Sequence, residues 1–511
     1  MNIRTAIQLM RVAVTGDAAE FFDNEINGFS IDSRTTGEGE LFFALSPVDY
    51  ARHGFTGAAS ANDAHEFIPQ AFTRGAVAAI ARRERVEGDA SLENYRNHLL
   101  LVDDVIEALQ MIAQSILQKW ARPVVAITGS AGKTTTKDLT AHILNHSGRR
   151  VLRSKKNFNT EIGLPLSVLQ MTEAGASPGD YDVAVLEMGM STPNEIRRLC
   201  EIAAPDIGVE LLVAPVHLEF MKSIENIAAA KAQLIEGLKP GGTAILNADD
   251  ELVAAMRVKH DGRTLTFGIE KPADVTALEI DNAQLGLTRF RLRTPLGEAD
   301  ASLPLPGRHN LMNALAAATV ATCFELRPEE IAGALACAAP SEMRGELLEF
   351  AGGFTVIDDS YNSNPRSLTS MTRSLVEGRE VCGLPHAGAR RRTVVIAGEM
   401  LELGTDAAAL HREVGREIGR QGVDVLWGVR GFAQQLIEGA IEGGMPQAAT
   451  QFFSSSEEAA AALPAAIRAG DLLLIKGSRG VRTDNIVRAL REQFELKDEG
   501  KKPESRMQKP E

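Results

Sequence analysis

The sequence predicts an α/β fold in three domains. These are a small mixed α/β domain at the N-terminus, a central domain built on a parallel sheet with a P-loop-type turn, and a C-terminal Rossmann-like α/β domain. Three observations carry that expectation. At 511 residues the chain is too long for one ordinary core. A glycine-rich turn at 128–137 joins an apolar run to a stretch with helical spacing. Strand-like runs then alternate with helix-like stretches in two series, one on either side of residues 338–340, as in parallel sheets covered by helices.

The elements follow in order. Residues 1–120 form the first domain, which carries the phrase 30–44 and closes with a helical stretch over 105–119. Ala121, Arg122 and Pro123 read as a hinge. In the central segment, 121–338, strands are expected at 124–127, 182–188, 207–213 and 243–246. Helical spacing recurs at 138–144 and 225–236. Residues 310–324 are almost all small or apolar, which predicts a buried helix. A boundary is expected near Ala338 and Pro340. The last domain, 339–495, has strands expected at 355–357, 393–397, 423–429 and 472–475. The charged, proline-containing stretch 496–511 reads as a disordered tail.

Bulk properties narrow the function classes. Apolar residues make up 44% and charged residues 24%, as in ordinary globular proteins. A net charge of −14 argues against a nucleic-acid binder. The four cysteines (Cys200, Cys323, Cys337, Cys382) have no paired spacing, so neither a disulfide framework nor a zinc site is expected. The N-terminus lacks an apolar signal core and no run has the length of a membrane span. A reducing, cytoplasmic setting without membrane insertion is the expectation.

The glycine turn carries the first chemistry. Thr128, Gly129, Ser130, Ala131, Gly132, Lys133, Thr134 and Thr135 lie between strand and helix, where backbone N–H groups and the helix dipole converge on phosphate oxygens. Lys133 can neutralise the β/γ-phosphates and the Thr134 hydroxyl can reach Mg²⁺. Ile127 stands where the strict P-loop spacing has its first glycine. Glu187 closes an apolar strand, which puts a carboxylate beside the phosphates, as Mg²⁺ ligand or as a strand-end salt bridge. Read alone, His217 is a loop residue and Lys231 a surface lysine. The basic run Arg149, Arg150, Arg153, Lys155 and Lys156 either raises the local potential or is a solvated face.

Together these residues are more specific. The turn, the phrase 157–165 with Asn157, Asn159 and Thr160, the Glu187 strand, His217 and Lys231 occur in an order that resembles the Mur ligase family. Its members extend the peptidoglycan precursor with ATP. The phrase 307–317 resembles that family's adenine-contacting helix and points to Asn310 and Asn313. The resemblance assigns Arg344 to ATP phosphates and Asp359 to the ribose. The phrase 358–365 resembles the branch that adds D-alanyl-D-alanine to UDP-N-acetylmuramoyl-tripeptide, and these two substrates are the implied partners. Residues 398–404, His411 and 476–478 continue the likeness. Two departures stand out: 210–215 lacks the usual Thr-Asn pair before His217, and 46–65 replaces a shorter Asp-Gly-His turn.

The resemblance implies an ATP-dependent amide ligase working through an acyl phosphate, with two Mg²⁺ ions and a monomeric chain. Lys133, Glu187, His217 and Lys231 would be catalytic. Thr134, Glu187, His217 and a Lys231 carbamylated by CO₂ would be metal ligands. Ser33 and Arg34 are the candidates for uridine diphosphate, since arginine pairs well with phosphate. Asn362 and Asn364 either position substrates or form an Asx-rich turn before Pro365. Because ATP would sit on the central domain and Asp359 and Arg344 on the last, domain closure is expected. The alternatives are another Mur-type or folylpolyglutamate-type ligase, and a nucleotide-binding regulator without catalysis.

Overall fold

The computed structural model describes residues 1–10, 21–55, 61–155, 158–216, 218–379 and 390–497. Three sheets follow one another along the chain. The first holds β1 (Gly28–Ser30), β2 (Glu40–Phe43), β3 (Ala78–Arg82) and β4 (Leu99–Val102), side by side in that order and all parallel. Phe42 and Phe43, or Ala79 and Ile80, are buried on opposite faces, so these strands are continuous apolar runs.

Helix α1 (Val105–Trp120) starts where the Asp104 side chain accepts from the Glu107 N–H. Its stripe of Leu109, Ile112, Ala113 and Ile116 belongs to one core shared by the first sheet and one face of the second. The helix stops at Ala121, in left-handed geometry, where the sequence suggested a hinge. A polar clamp reinforces this junction. After the short helix Pro47–Arg52, His53 lies 3.2 Å from Asp104 and 3.5 Å from Glu161, and its carbonyl accepts from Arg198.

The second sheet has nine strands. β5 (Val124–Thr128), β6 (Val151–Arg153), β7 (Val183–Glu187), β8 (Ile207–Glu210), β9 (Thr243–Asn247) and β10 (Arg263–Gly268) are parallel. β11 (Val275–Gln284), β12 (Leu287–Thr294) and β13 (Gly297–Leu303) form an antiparallel meander at one edge, so the expected purely parallel sheet is a mixed one. Burial alternates along β12, as in a strand with one face packed, and the tight turns need no helical crossover. The order across the sheet is β13-β12-β11-β10-β9-β8-β5-β7-β6. The strand expected over 207–213 ends at Glu210. There Asn247 draws the Leu211 carbonyl aside at 2.7 Å and Asp250 takes the Val213 N–H at 3.0 Å.

Helix α2 (Lys133–His146) and the nearly all-small helix α4 (Arg308–Cys323) cover one face, with α4 buried as its composition suggested. Helix α3 (Ile224–Glu236) covers the other with α1. The third sheet holds β14 (Glu346–Glu349), β15 (Thr355–Asp359), β16 (Thr393–Gly398), β17 (Val425–Val429), β18 (Thr450–Phe453) and β19 (Leu472–Lys476). Its order is β14-β15-β19-β16-β17-β18, and only β14 is antiparallel to its neighbour. Apolar cores lie on both of its faces. Contrary to the expected disordered tail from residue 496, Leu496 bridges to Phe350 and the Lys497 N–H donates to the Glu349 carbonyl. Residues 498–511 lie outside the described residues.

Candidate active site

The glycine turn leaves β5 at Thr128 and enters α2 at Lys133. Gly132 caps the helix at φ +85, and a Cβ there would collide with the Asn313 carboxamide. Ser130 pins the turn to the strand-exit segment: its N–H donates to the Leu212 carbonyl at 2.8 Å and its hydroxyl to the Ala214 carbonyl at 3.1 Å. Ser130, Ala131, Gly132, Lys133, Thr134 and Thr135 then line a cleft of about 420 Å³ at the C-terminal ends of the strands.

Acid and base meet on the floor of this cleft. The Thr134 hydroxyl donates to Glu187 at 2.8 Å, and the Asn159 amide donates to the other Glu187 oxygen at 2.7 Å. The Glu187 main chain is fixed by Ser154, whose hydroxyl accepts its N–H. Lys133 donates to the Gly129 carbonyl at 2.9 Å, folding back over its own turn. Burial pushes the Lys133 ammonium below its ordinary value, while Glu187 pulls it upward and Arg344 pushes it further down. Lys231, on α3, is not the surface lysine it looks like in sequence. It is 2% exposed, and burial lowers it to about 7 against the opposing field of Glu210.

The opposite wall comes from α4 and the third sheet. Asn310 donates to the Pro306 carbonyl at 2.7 Å and accepts from Asn313 at 3.3 Å, so the two form one rigid polar strip facing Gly132. Lys476, at the end of β19, bonds the Asp359 carboxylate at 2.6 Å and the Asn362 carbonyl at 2.8 Å. The Arg344 guanidinium lies 4.0 Å over the Tyr361 ring. Asn364 caps helix α5 (Pro365–Glu377) by accepting from the Ser367 N–H at 2.9 Å, so the capping-turn reading of that asparagine holds while it also lines the cleft. Asn362 accepts from the Ser363 N–H and lines the cleft too.

Most of the residues singled out in the sequence thus surround one space: Ser130 to Thr135, Asn159, Thr160, Glu187, Asn310, Asn313, Arg344, Asp359, Asn362 and Asn364. Several do not. The Thr128 side chain is wholly buried beneath the turn and does not line the cleft. Ser33 is buried and donates to Gln70, while Arg34 is clamped in two bonds to Asp32, whose carboxyl it holds down at about 2. Neither residue lines the cleft. His411 is a core histidine: it accepts from the Met400 N–H and bonds the Ala407 carbonyl. Arg150 and Arg153 of the basic run pair with Asp180 and Asp138. Asn157 and His217 lie outside the described residues.

Two residues were missed. His309 lines the cleft, pushed down to about 4 by burial, and its place inside the quoted phrase 307–317 was the available signal. Glu210 is wholly buried at the end of β8, and burial raises its carboxyl to about 7. A lone glutamate after an apolar strand was the only sign.

Comparison with known proteins places this geometry among relatives. Residues 127–321 match the Mur ligase middle domain and residues 343–479 the Mur ligase glutamate ligase domain. The chain is 31% identical to the UDP-N-acetylmuramoyl-tripeptide–D-alanyl-D-alanine ligase of Bacillus subtilis, over 96% of this chain and 98% of that protein. It is 32% identical to the enzyme of that name from Escherichia coli, over 92% and 95%. Among solved structures it resembles MurF from Acinetobacter baumannii, with 26% identity, a TM-score of 0.78 and coverage of 96% and 98%. It also resembles MurF ligase from Thermotoga maritima in complex with ADP, with 25% identity, a TM-score of 0.73 and coverage of 91% and 97%.

Proposed function

The chain belongs to the Mur ligase family, and from that premise we propose that it joins D-alanyl-D-alanine to UDP-N-acetylmuramoyl-tripeptide. It uses ATP and releases ADP and phosphate, a step of peptidoglycan precursor synthesis in the cytoplasm. The observation that carries this reading is the union of the Lys133–Thr134–Glu187 floor with Asp359, Asn362 and Asn364 in one cleft. Near full-length likeness to ligases of that name supports it. Among the described residues no helix is long and apolar enough to cross a membrane. The domain assignment that goes with it is 1–120 for the UDP-sugar, 121–338 for ATP and 339–495 for the incoming dipeptide, in a chain that works as a monomer without nucleic acid.

The chemistry follows from the problem of making an amide from a carboxylate. Expelling oxide is prohibitive, so the γ-phosphoryl group is moved to the acyl oxygen and phosphate becomes the leaving group. Two anions must first approach each other, and their repulsion in a site shielded from water must be offset. Lys133 does this once a γ-phosphate displaces its contact with Gly129. The N–H groups at the start of α2 hold the phosphates. The peptide amine, with an ordinary value of about 7.7–8.0, is partly deprotonated at neutral pH and attacks the acyl phosphate.

The donors on the floor suit Mg²⁺: the Thr134 hydroxyl and the Glu187 carboxylate are hard oxygens already 2.8 Å apart. Held by these two residues, Mg²⁺ would supply charge neutralisation for the phosphates and the acyl oxygen; His217, the sequence candidate for a second ion, lies outside the described residues. Asp359 and Lys476 fit the ribose, and Asn310, Asn313 and Arg344 the rest of the nucleotide. The deciding experiment measures phosphate release from ATP with UDP-N-acetylmuramoyl-tripeptide, with and without D-alanyl-D-alanine. A panel of folates and single amino acids serves as competitors. Release that needs both substrates is expected; release independent of them removes the ligase reading.

A further inference from the structure

The cleft has a wall that the nucleotide chemistry leaves unused. Phe55 lines the cleft together with Asn159, Thr160, Met190 and Glu195, and among the described residues no other member of the first segment does so. It belongs to 46–65, where the sequence departs from the Mur pattern. The short helix Pro47–Arg52 gives that stretch its shape. Ser46 and Asp49 cap it reciprocally, and the other Asp49 oxygen accepts from the Val105 N–H at 3.2 Å, tying it to the start of α1. Phe55 then folds back on this helix. Its N–H donates to the Tyr50 carbonyl at 3.0 Å, and its ring meets the Tyr50 ring edge-on at 5.6 Å.

The His53 clamp fixes where this turn meets the second domain. Besides its approach to His53, the Glu161 carboxylate pairs with Arg198 at 3.0 Å, the same guanidinium that donates to the His53 carbonyl at 2.7 Å. Gln110 of α1 donates to the Glu161 carbonyl at 3.1 Å. Both partners adjoin the cleft: Glu161 follows Asn159 and Thr160, and Arg198 lies about one turn beyond Glu195 on the helix Glu195–Ile202. His53 is thereby locked to that side of the cleft, and Phe55 follows it by two residues. With the glycine turn, α4 and the third sheet given to the nucleotide, this side is left for the acceptor. An apolar ring among polar neighbours suits the carbon skeleton of a peptide whose amides and carboxylate those neighbours can bond. We propose that Phe55 is a specificity-determining residue that packs on the acceptor peptide, and that His53 is the positioning residue holding Phe55 there through Glu161 and Arg198. The identity of the acceptor rests on the ligase reading.

The test measures binding of UDP-N-acetylmuramoyl-tripeptide to the full chain by calorimetry, with a non-hydrolysable ATP analogue present. Wild type, Phe55→Ala, Phe55→Leu, His53→Ala and the double variant of Phe55→Ala with His53→Ala are compared. Phe55→Ala is expected to weaken acceptor binding about tenfold or more and to leave the affinity for the analogue unchanged. His53→Ala is expected to act in the same direction. The double variant should bind no more weakly than Phe55→Ala, because one residue acts through the other. In turnover the loss falls on the KM for the acceptor, with the KM for ATP as in wild type. Unchanged acceptor affinity in Phe55→Ala overturns the contact, and two losses that add overturn the role of His53. Phe55→Leu keeps an apolar side chain and stands in if the alanine variant does not fold; its loss must be smaller and of the same kind. A wild type that does not bind the acceptor removes the ligase reading and this wall together. A wild type that binds it no better than the Phe55 variants removes the wall alone.

Discussion

Single side chains govern the transfer step. Replacing Lys133 by alanine removes the cation that follows the γ-phosphoryl group, and loss of one preorganised electrostatic group of this kind costs about 10²–10³ in kcat. The same order is expected for Glu187→Gln, with circular dichroism unchanged, because Thr134 and Asn159 can still bond a carboxamide. A result within a few-fold of wild type for both would remove the floor from the mechanism. Gly132→Ala acts differently: it places a Cβ against Asn313 in left-handed backbone, so weaker nucleotide binding is expected, read by calorimetry with ADP. Lys133, Thr134 and Glu187 were legible because their positions at a strand end and helix start dictate where they point. Glu210 was not, and Lys231 was legible only through the family resemblance, its burial being hidden. Their burial is set by a strand and a helix that no local pattern connects.

At the scale of elements, the parallel strands were readable as apolar runs, while the meander β11–β13 was not. Its alternating, charge-bearing residues resemble a solvated segment until one face is known to be covered. The early end of β8 was equally hidden, because Leu211 and Val213 continue the apolar pattern while Asn247 and Asp250 turn the backbone away. The junction formed by α1 and the short helix Pro47–Arg52 yields a pH prediction. Hydrogen bonds to Asp104, then to Glu161, raise His53 to about 9 despite its burial. Its folded value exceeds the ordinary 6.5, so its stabilisation is fully present below 6.5 and fades as pH rises through about 9. Allowing for solvent screening, it contributes about 1–2 kcal/mol. Denaturant unfolding of wild type and His53→Gln should therefore differ near pH 6 and converge near about pH 10. A gap independent of pH would assign His53 to packing alone.

For the whole molecule, the cleft draws on the first segment through Phe55, on the second sheet and on the third. A ligand bound there ties them together. A non-hydrolysable ATP analogue at about 100 times its Kd should stabilise the chain by about 2.7 kcal/mol. It should also narrow the distribution of sizes seen by X-ray scattering. If unfolding of residues 339–495 alone ignores the analogue, Arg344, Asp359 and Lys476 do not take part in nucleotide binding. That the third sheet exists was legible from its apolar strands. That Lys476 would cross to Asp359 was not, because β15 and β19 are neighbours in space but far apart along the chain.

The strand order of the second sheet also bears on how the chain is born. β5 leaves the ribosome first among its nine strands, yet its partners β7 and β8 emerge later and flank it on both sides. The wall facing Gly132 is made later still, when α4 appears with Asn310 and Asn313. A nascent chain halted before residue 308 therefore has a nucleotide turn without its wall, and the first sheet, complete by residue 102, is the earliest unit able to fold. Nucleotide can act as a chaperone only for chains that have already passed α4.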